Sequence, residues 1–190
     1  MGRLRIIAGE LKGRRIEVVD QPGLRPTSDR VREALFSILG DRVSGASVLD
    51  AYAGTGALGF EALSRGARHV VFVEGAAAVV GGLEGSRAAL GCLGRSSVVR
   101  GDPAELLERG LIAGPFDLIL ADPPYGGGER DRFLASVSGR HPLSGGGLLV
   151  LESEKRKSPP DRGDWPGMVH IRRASYGRSA LDFYEPDASG

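Results

Sequence analysis

The sequence predicts an α/β fold built around a mostly parallel sheet. Five apolar runs of strand length recur along the chain, at residues 46–49, 70–73, 97–99, 116–120 and 148–151. Segments long enough for helices separate most of these runs, and buried strands that alternate with helices are typical of βαβ units. A glycine turn also follows the first run, where such folds open a helix towards a ligand. The 190 residues, 41% of them hydrophobic, suffice for a real core.

Two short elements precede the predicted sheet. Residues 5–7 and 15–19 flank Gly9 and Gly13 and predict a small β-hairpin. The next segment predicts a helix, because Ser28 or Asp29 can cap its start and apolar residues from 31 to 39 recur with helical spacing. Arg30 and Arg32 fall outside that apolar stripe, so we expect both side chains to be exposed.

The later elements are less regular. Gly81, Gly82 and Gly85 lie in the segment between the second and third runs, where each glycine costs a helix up to ~1 kcal/mol relative to alanine. We still expect a helix there, because the βαβ order requires one. Residues 158–160 predict a loop, and residues 169–173 and 180–184 predict a hairpin that turns at Tyr176 and Gly177.

Charge is unevenly distributed along the chain, although the net charge is only +1. Residues 101–131 are rich in Asp and Glu, whereas the first 32 residues are basic and include a short segment that we expect to be mobile. A basic end and an acidic pocket suit a polyanion that carries a neutral or cationic group. The residues that we expect to contact such a polyanion are Arg3, Arg5, Lys12, Arg14, Arg15, Arg25, Arg30 and Arg32.

Several classes of protein are disfavoured by what the sequence lacks. Cys92 is the single cysteine, so no intrachain disulfide can form. No apolar run is long enough to span a bilayer or to form a signal peptide, which favours a cytoplasmic protein. The three histidines are scattered and no metal-ligand spacing occurs, so we expect no metal.

The most informative motif is Ala-Asp-Pro-Pro-Tyr at residues 121–125, directly after the fourth apolar run. Asp122 offers a carboxylate that accepts hydrogen bonds from an amino group, Pro123 and Pro124 fix the turn, and Tyr125 offers a ring on which a planar base can stack. These residues are our candidate catalytic group. The simpler alternative is a strand that ends in a Pro-Pro turn with an incidental tyrosine.

A second motif is the glycine turn at residues 50–59. Gly54, Gly56 and Gly59 form the pattern G-x-G-x-x-G, and Glu74 follows about 20 residues later, as in proteins that bind a dinucleotide. Three features favour S-adenosylmethionine over NAD: Asp50 ends the strand before the turn, a long segment precedes the first βα unit, and a base-binding motif ends the fourth strand.

The predicted cofactor-binding residues have distinct roles. Ala53, Gly54 and Gly56 bring the backbone close to the ligand, and Glu74 would accept hydrogen bonds from both ribose hydroxyls. Asp102 would accept from the adenine amino group, although an acid at this position often only caps a helix. Asp50 would face the methionine end through water or backbone.

Together these residues resemble the RsmD family of 16S ribosomal RNA (guanine-N2) methyltransferases, within the Rossmann-like class I methyltransferases. The resemblance covers nearly the whole chain and is carried by residues 5–9, 24–33, 50–59, 61–66 and 122–125. It implies a seven-stranded sheet with an antiparallel last strand, an RNA-binding extension at 1–44 and a methyltransferase domain at 45–190. It also implies S-adenosyl-L-methionine as cofactor and a monomer acting on 16S ribosomal RNA, within a 30S particle or an assembly intermediate, with no membrane partner.

Other functions remain open at this level. Asp-Pro-Pro-Tyr also occurs in DNA amino-methyltransferases, and related Asn-Pro-Pro-Tyr sites modify glutamine in proteins, so the motif identifies the nucleophile but not the polymer. The glycine turn alone also fits an NAD-dependent oxidoreductase. A third alternative is a nucleic-acid-binding protein whose cofactor pocket no longer functions.

Overall fold

The structure is a computed structural model that describes residues 4–18, 28–124, 128–155 and 165–187. Two short 3₁₀ turns, Gly40–Val43 and Leu93–Arg95, join longer elements. The helices and strands are β1 (Leu4–Arg5), β2 (Arg15–Ile16), α1 (Asp29–Leu39), β3 (Ser47–Ala51), α2 (Ala57–Ser64), β4 (His69–Glu74), α3 (Ala77–Leu90), β5 (Ser96–Arg100), α4 (Pro103–Glu108), β6 (Phe116–Ala121), α5 (Glu129–Arg140), β7 (Leu143–Glu154), β8 (Met168–Tyr176) and β9 (Ser179–Pro186).

The main sheet confirms the predicted α/β fold. Its seven strands follow the order β5-β4-β3-β6-β7-β9-β8. The strands from β3 to β7 are parallel, and β9 is antiparallel to both of its neighbours. Strands β4 and β5 are added on one side of β3, and the strands from β6 onward lie on its other side. The strand order therefore reverses between β3 and β6. Ligands of such sheets bind at this reversal, beyond the carboxyl ends of the strands. We call this side of the sheet the carboxyl edge.

Helices cover both faces of the sheet because its strands are apolar on both sides. On one face, residues of α1 and α2 such as Leu35 and Phe60 pack against Phe72 and Leu118. On the other face, Phe133 of α5 packs with Ile119 in a second cluster. The glycine-containing helix α3 forms as predicted, and so does the terminal hairpin of β8 and β9. The predicted loop at 158–160 lies outside the described residues.

The predicted N-terminal hairpin also forms, with Leu4 paired to Ile16. The described part of it is fixed to α2, so the expectation of a mobile segment is wrong. The buried carboxylate of Glu61 accepts hydrogen bonds from the backbone N–H groups of Ile7 (2.8 Å) and Ala8 (3.1 Å). Gly9 passes so close to α2 that an added Cβ would lie 1.8 Å from the Ser64 carbonyl oxygen. Long-range hydrogen bonds therefore hold this segment.

The hairpin and α1 share one hydrophobic core with the sheet. Leu4, Ile6 and Ile16 are buried in the same cluster as the α1 residue Leu35 and the sheet residue Val48. The two parts predicted at 1–44 and 45–190 therefore pack around one core in the described residues. Their separate roles, RNA binding and methyl transfer, stay a prediction.

Helix α1 begins as predicted, with the Ser28 side chain accepting from the N–H of Val31. Arg32, however, was expected to be exposed and is fully buried. Its Nη2 donates to the Arg5 carbonyl oxygen (2.9 Å) and to Asp29 (2.8 Å), because β1 lies over this side of α1. Burial lowers the pKa of this guanidinium, and the charges of Asp29 and Glu61 oppose that shift.

No helix in the part of the chain that the structure describes is long and apolar enough to cross a membrane.

Candidate cofactor and substrate site

The glycine turn connects β3 to α2 at the carboxyl edge. Gly56 has a φ of 76° and precedes the first residue of α2. An added Cβ there would lie 2.6 Å from Leu83 and 2.7 Å from Phe60, so this position requires glycine. Ala53 donates to the Val73 carbonyl oxygen (2.9 Å) and accepts from the N–H of Gly56 (2.7 Å). The backbone of the turn is therefore held in one shape at the start of a helix.

Asp50 lies beneath this turn rather than on its surface. It is 2% exposed, and its Oδ2 accepts from the N–H of Gly59 at 2.8 Å. Burial raises the pKa of Asp50 to about 8; the Gly59 hydrogen bond opposes this shift, and the nearby carboxylates of Asp122 and Glu74 add to it. Asp50 therefore positions the turn, and its influence on a ligand passes through the backbone.

Glu74 ends β4 beside the turn and is partly exposed. Its Oε2 accepts from the N–H of Gly54 (3.0 Å) and its Oε1 from the N–H of Ala76 (2.8 Å). Each carboxylate oxygen can accept a second hydrogen bond, so the fixed carboxylate can still bind hydroxyl groups. The structure thus brings this predicted residue into direct contact with the glycine turn.

Asp102 caps α4, the alternative role that the sequence left open. Its Oδ1 accepts from the N–H of Glu105 (2.8 Å) and lies 3.3 Å from Arg132 of α5. Both contacts involve the same oxygen, so Oδ2 is available to another donor. The predicted contact with adenine remains a prediction that this geometry allows.

The Asp-Pro-Pro segment follows β6 directly. The N–H of Asp122 donates to the carbonyl oxygen of Ala51, at 3.4 Å, which ties the segment to the end of β3. Asp122 is partly exposed, Pro123 is buried and Pro124 is exposed. Tyr125 lies outside the described residues. The candidate catalytic motif therefore begins at the point where the strand order reverses, beside the glycine turn.

Two residues that sequence reasoning missed complete this region. Tyr52 has a φ of 58°, which is unusual for a residue other than glycine, and its ring contacts Phe133 with 5.5 Å between centroids. Its place between Asp50 and Ala53 could have marked it as part of the turn. Arg132 pairs with Asp102 across two helices, and no local pattern signals that contact. No group of His, Cys, Asp or Glu within the described ranges could hold a metal ion.

The predicted RNA-contacting residues fall into three groups. Arg5, Lys12, Arg14, Arg15 and Arg30 are exposed, Arg32 is buried, and Arg3 and Arg25 lie outside the described residues. Arg14 donates to the carbonyl oxygen of Ala89, at 2.5 Å. Ala89 is near the end of α3, about 18 Å along the helix from its start at the carboxyl edge. The hairpin turn with Lys12 and Arg14 therefore lies at the opposite edge from the Asp-Pro-Pro segment.

The sheet order, the glycine turn and the Asp-Pro-Pro segment at the strand reversal define a class I methyltransferase. The family described as "Conserved hypothetical protein 95" matches residues 4–185. The ribosomal RNA small subunit methyltransferase D of Escherichia coli K12 is 35% identical over 191 residues, covering 100% of this chain and 93% of the relative. The chain therefore belongs to the RsmD family.

Two further relatives agree with this assignment. The putative rRNA methyltransferase YlbH of Bacillus subtilis is 31% identical and covers 96% of this chain and 98% of its own length. The solved structure of the putative methyltransferase yhhF from Escherichia coli is similar with a TM-score of 0.83 and 33% identity, covering 99% of this chain and 100% of that one. The similarity thus extends over the N-terminal hairpin as well as the sheet.

Proposed function

We propose that this protein transfers a methyl group from S-adenosylmethionine to the exocyclic N2 amine of a guanine in 16S ribosomal RNA. The observation that carries the proposal is the placement of Asp122 and Pro123 beside the glycine turn, where the strand order reverses. Relatives named as ribosomal RNA small subunit methyltransferases support the RNA substrate.

The residues at the carboxyl edge fit the proposed cofactor. Glu74 has oxygens available for the two ribose hydroxyls, and Asp102 has one available for the adenine amino group. Asp122 and Glu74 are close enough to the buried Asp50 to raise its pKa, and such mutual repulsion favours a cationic ligand. When bound, S-adenosylmethionine supplies a methyl group on a positively charged sulfur, which makes that methyl an electrophile.

Asp122 and Pro123 would act on the substrate amine. The lone pair of this amine is delocalised into the guanine ring, so the amine is a weak nucleophile until it is oriented. Asp122 and the Pro123 carbonyl oxygen would accept its two N–H bonds and direct the lone pair towards the methyl carbon. The nitrogen would form its bond to the methyl carbon in one in-line displacement as the bond between that carbon and sulfur breaks, with S-adenosylhomocysteine as the leaving group and no covalent bond to the enzyme. The surplus proton on the nitrogen would pass to the Asp122 carboxylate and from there to water.

The target base must leave its stack to reach this site. Enzymes that act on bases extrude the nucleotide or use one that is already unpaired. Tyr125 would then stack on the base and hold its plane. We propose that Pro124 keeps the turn between Pro123 and Tyr125 rigid, because its ring fixes φ.

The exposed basic residues of the N-terminal part would contact RNA away from the target base. Arg5, Lys12, Arg14, Arg15 and Arg30 are available for this role, together with Arg3 and Arg25 by sequence. Arg32 is excluded because its guanidinium is buried. We propose a monomer that acts in the cytoplasm on a 30S particle or an assembly intermediate, since ribosomal RNA is found there.

Methyl transfer to three RNA substrates tests this proposal. Labelled S-adenosylmethionine would be offered with naked 16S RNA, with 30S particles that lack the modification and with an assembly intermediate. We expect transfer to at least one particle. Calorimetry with S-adenosylhomocysteine and NAD accompanies the assay, and tighter binding of NAD would contradict the cofactor assignment.

A further inference from the structure

Two exposed cations, Lys155 and Arg178, lie at one end of the carboxyl edge. The half formed by the ends of β3, β4 and β5 carries the carboxylates of Glu74 and Asp102 together with two arginines, Arg100 at the end of β5 and Arg132, which pairs with Asp102. In the other half, Lys155 directly follows β7 and Arg178 lies in the turn between β8 and β9, and both are exposed. Lys155 and Arg178 therefore attract a polyanion towards their end of the edge, over distances comparable with the Debye length of about 8 Å.

Strand register places Lys155 and Arg178 beside the substrate site. Strand β8 runs parallel to β7 because both are antiparallel to β9, so the turn after β8 lies at the carboxyl edge. Leu151 pairs with Ala121 at the end of β6, and Lys155 lies four residues further on, about 13 Å beyond that level.

The same register fixes how far Lys155 and Arg178 lie beyond Asp122 along the strand direction. Asp122 is only one residue beyond Ala121, so Lys155 lies about 10 Å beyond Asp122 along the strand direction, on the neighbouring strand. The N–H of Lys155 donates to the Arg178 carbonyl oxygen at 2.8 Å, which holds Arg178 at the same height.

The basic side chains of β8 contact neighbouring groups, unlike those of Lys155 and Arg178. The buried Asp182 pairs with Arg173 (3.2 Å) and His170 (3.1 Å), so those side chains are held inside the hairpin. Arg172 lies over the ring of Phe183, with 5.8 Å from its Cζ to the centroid.

Lys155 and Arg178 differ from these three residues. Neither forms an ion pair with any residue that the structure describes. Exposed Glu154, next to Lys155, offsets only part of their combined charge.

We propose that Lys155 and Arg178 bind phosphates of the RNA strand next to the target nucleotide. The proposal rests on the proposed function and adds a second RNA surface, on the opposite edge from the hairpin turn with Lys12 and Arg14. A strand held there lies along the β7–β9 side of the edge, with its extruded base directed down towards Asp122. Phosphate contacts of this kind fix position and orientation rather than sequence.

The test is the double variant Lys155→Ala/Arg178→Ala, compared with the wild type in assays with 30S particles and with RNA. We expect the slope of log affinity against log salt to become shallower by about 1.4 to 1.8, because each of the two phosphate contacts contributes about 0.7 to 0.9. KM for RNA should rise and kcat/KM fall, while affinity for S-adenosylhomocysteine is retained.

Two control variants keep the test decisive. Arg109→Ala/Arg140→Ala removes the same charge where α4 and α5 end, on the opposite face of the sheet from the N-terminal hairpin, and it should retain the wild-type slope. The charge-preserving variant Lys155→Arg/Arg178→Lys should also behave like the wild type. If Lys155→Ala/Arg178→Ala loses cofactor binding through misfolding, the single variants Lys155→Ala and Arg178→Ala should each make the slope shallower by about 0.7 to 0.9.

The outcomes separate the two proposals. If the wild type methylates RNA and the Lys155 and Arg178 variants keep its salt slope and KM, the surface proposal is overturned. An equal loss of slope in the Arg109 and Arg140 control would overturn it as well, since the effect would then depend on net charge alone. If the wild type transfers no methyl group to any RNA, the proposed function fails instead.

Discussion

Replacing Glu74 probes how the glycine turn binds the cofactor. Glu74→Ala would remove an acceptor for two ribose hydroxyls, and hydrogen bonds to a charged group typically contribute a few kcal/mol in total. We expect cofactor binding to weaken by ~1–3 kcal/mol, which corresponds to roughly 5- to 150-fold in Kd. The N–H groups of Gly54 and Ala76 would also lose their acceptor, so the turn itself becomes less rigid.

Glu74→Gln makes the same test sharper. Glutamine keeps one oxygen, but its amide nitrogen would face a backbone N–H at the position where Oε2 or Oε1 now accepts. Two donors would then oppose each other, so we expect a loss close to that of the alanine variant. The size of Gln and Glu is nearly equal, which separates hydrogen-bonding geometry from packing.

Calorimetry with S-adenosylhomocysteine measures both variants, and thermal unfolding confirms that each is folded. Glu105→Gln is the matched control, because Glu105 is an exposed acid of α4 whose charge pairs only with the nearby Arg109 in the described structure. A Glu74→Gln variant that binds as tightly as the wild type would refute the assigned role of this carboxylate.

Three further predictions follow from the same geometry. Asp122→Ala should lower methyl transfer by orders of magnitude with nearly unchanged affinity for S-adenosylhomocysteine, and equal losses in both would place Asp122 in the cofactor site instead. The pKa of Asp50 is raised to about 8, so its contribution to stability is present below pH 3.8 and is lost as the pH rises towards 8. Asp50→Asn should therefore flatten the fall in urea-unfolding free energy between pH 5 and about pH 8, and an identical slope in both proteins would contradict this. The fivefold variant replaces Arg3, Arg5, Lys12, Arg14 and Arg15. It should lower the slope of log RNA affinity against log salt by nearly one unit per lost contact and leave cofactor affinity unchanged. An unchanged slope would mean that the segment has only a structural role.

Local patterns were enough to predict the sheet and the elements around its site. The run at 116–120 is apolar because β6 is covered on both faces, and so its end and the following Asp122 could be placed from sequence. The Ser28 cap and the terminal hairpin likewise depend on neighbouring residues. Glu74 and the glycine turn could be predicted because the βαβ order brings successive strand ends to one edge.

Contacts between distant segments could not be predicted in this way. Helical spacing identifies the apolar stripe of α1, but it does not show that β1 covers the adjacent side, and Arg32 is buried for that reason. The sequence did not show that the hairpin is fixed, because its anchor, Glu61, lies more than fifty residues away on α2. The position of Lys155 depends on its pairing with Arg178 across an antiparallel ladder, which no local pattern reveals.

Nucleoside analysis of the methylated RNA tests the central claim most directly. RNA from the wild-type reaction would be digested to nucleosides and separated by mass spectrometry, with the Asp122→Ala reaction analysed in parallel. The arrangement of Asp122 and Pro123 around an exocyclic amine predicts N2-methylguanosine in the wild-type product and almost none with the variant. Methyladenosine, or a guanosine methylated on a ring nitrogen, would contradict the account.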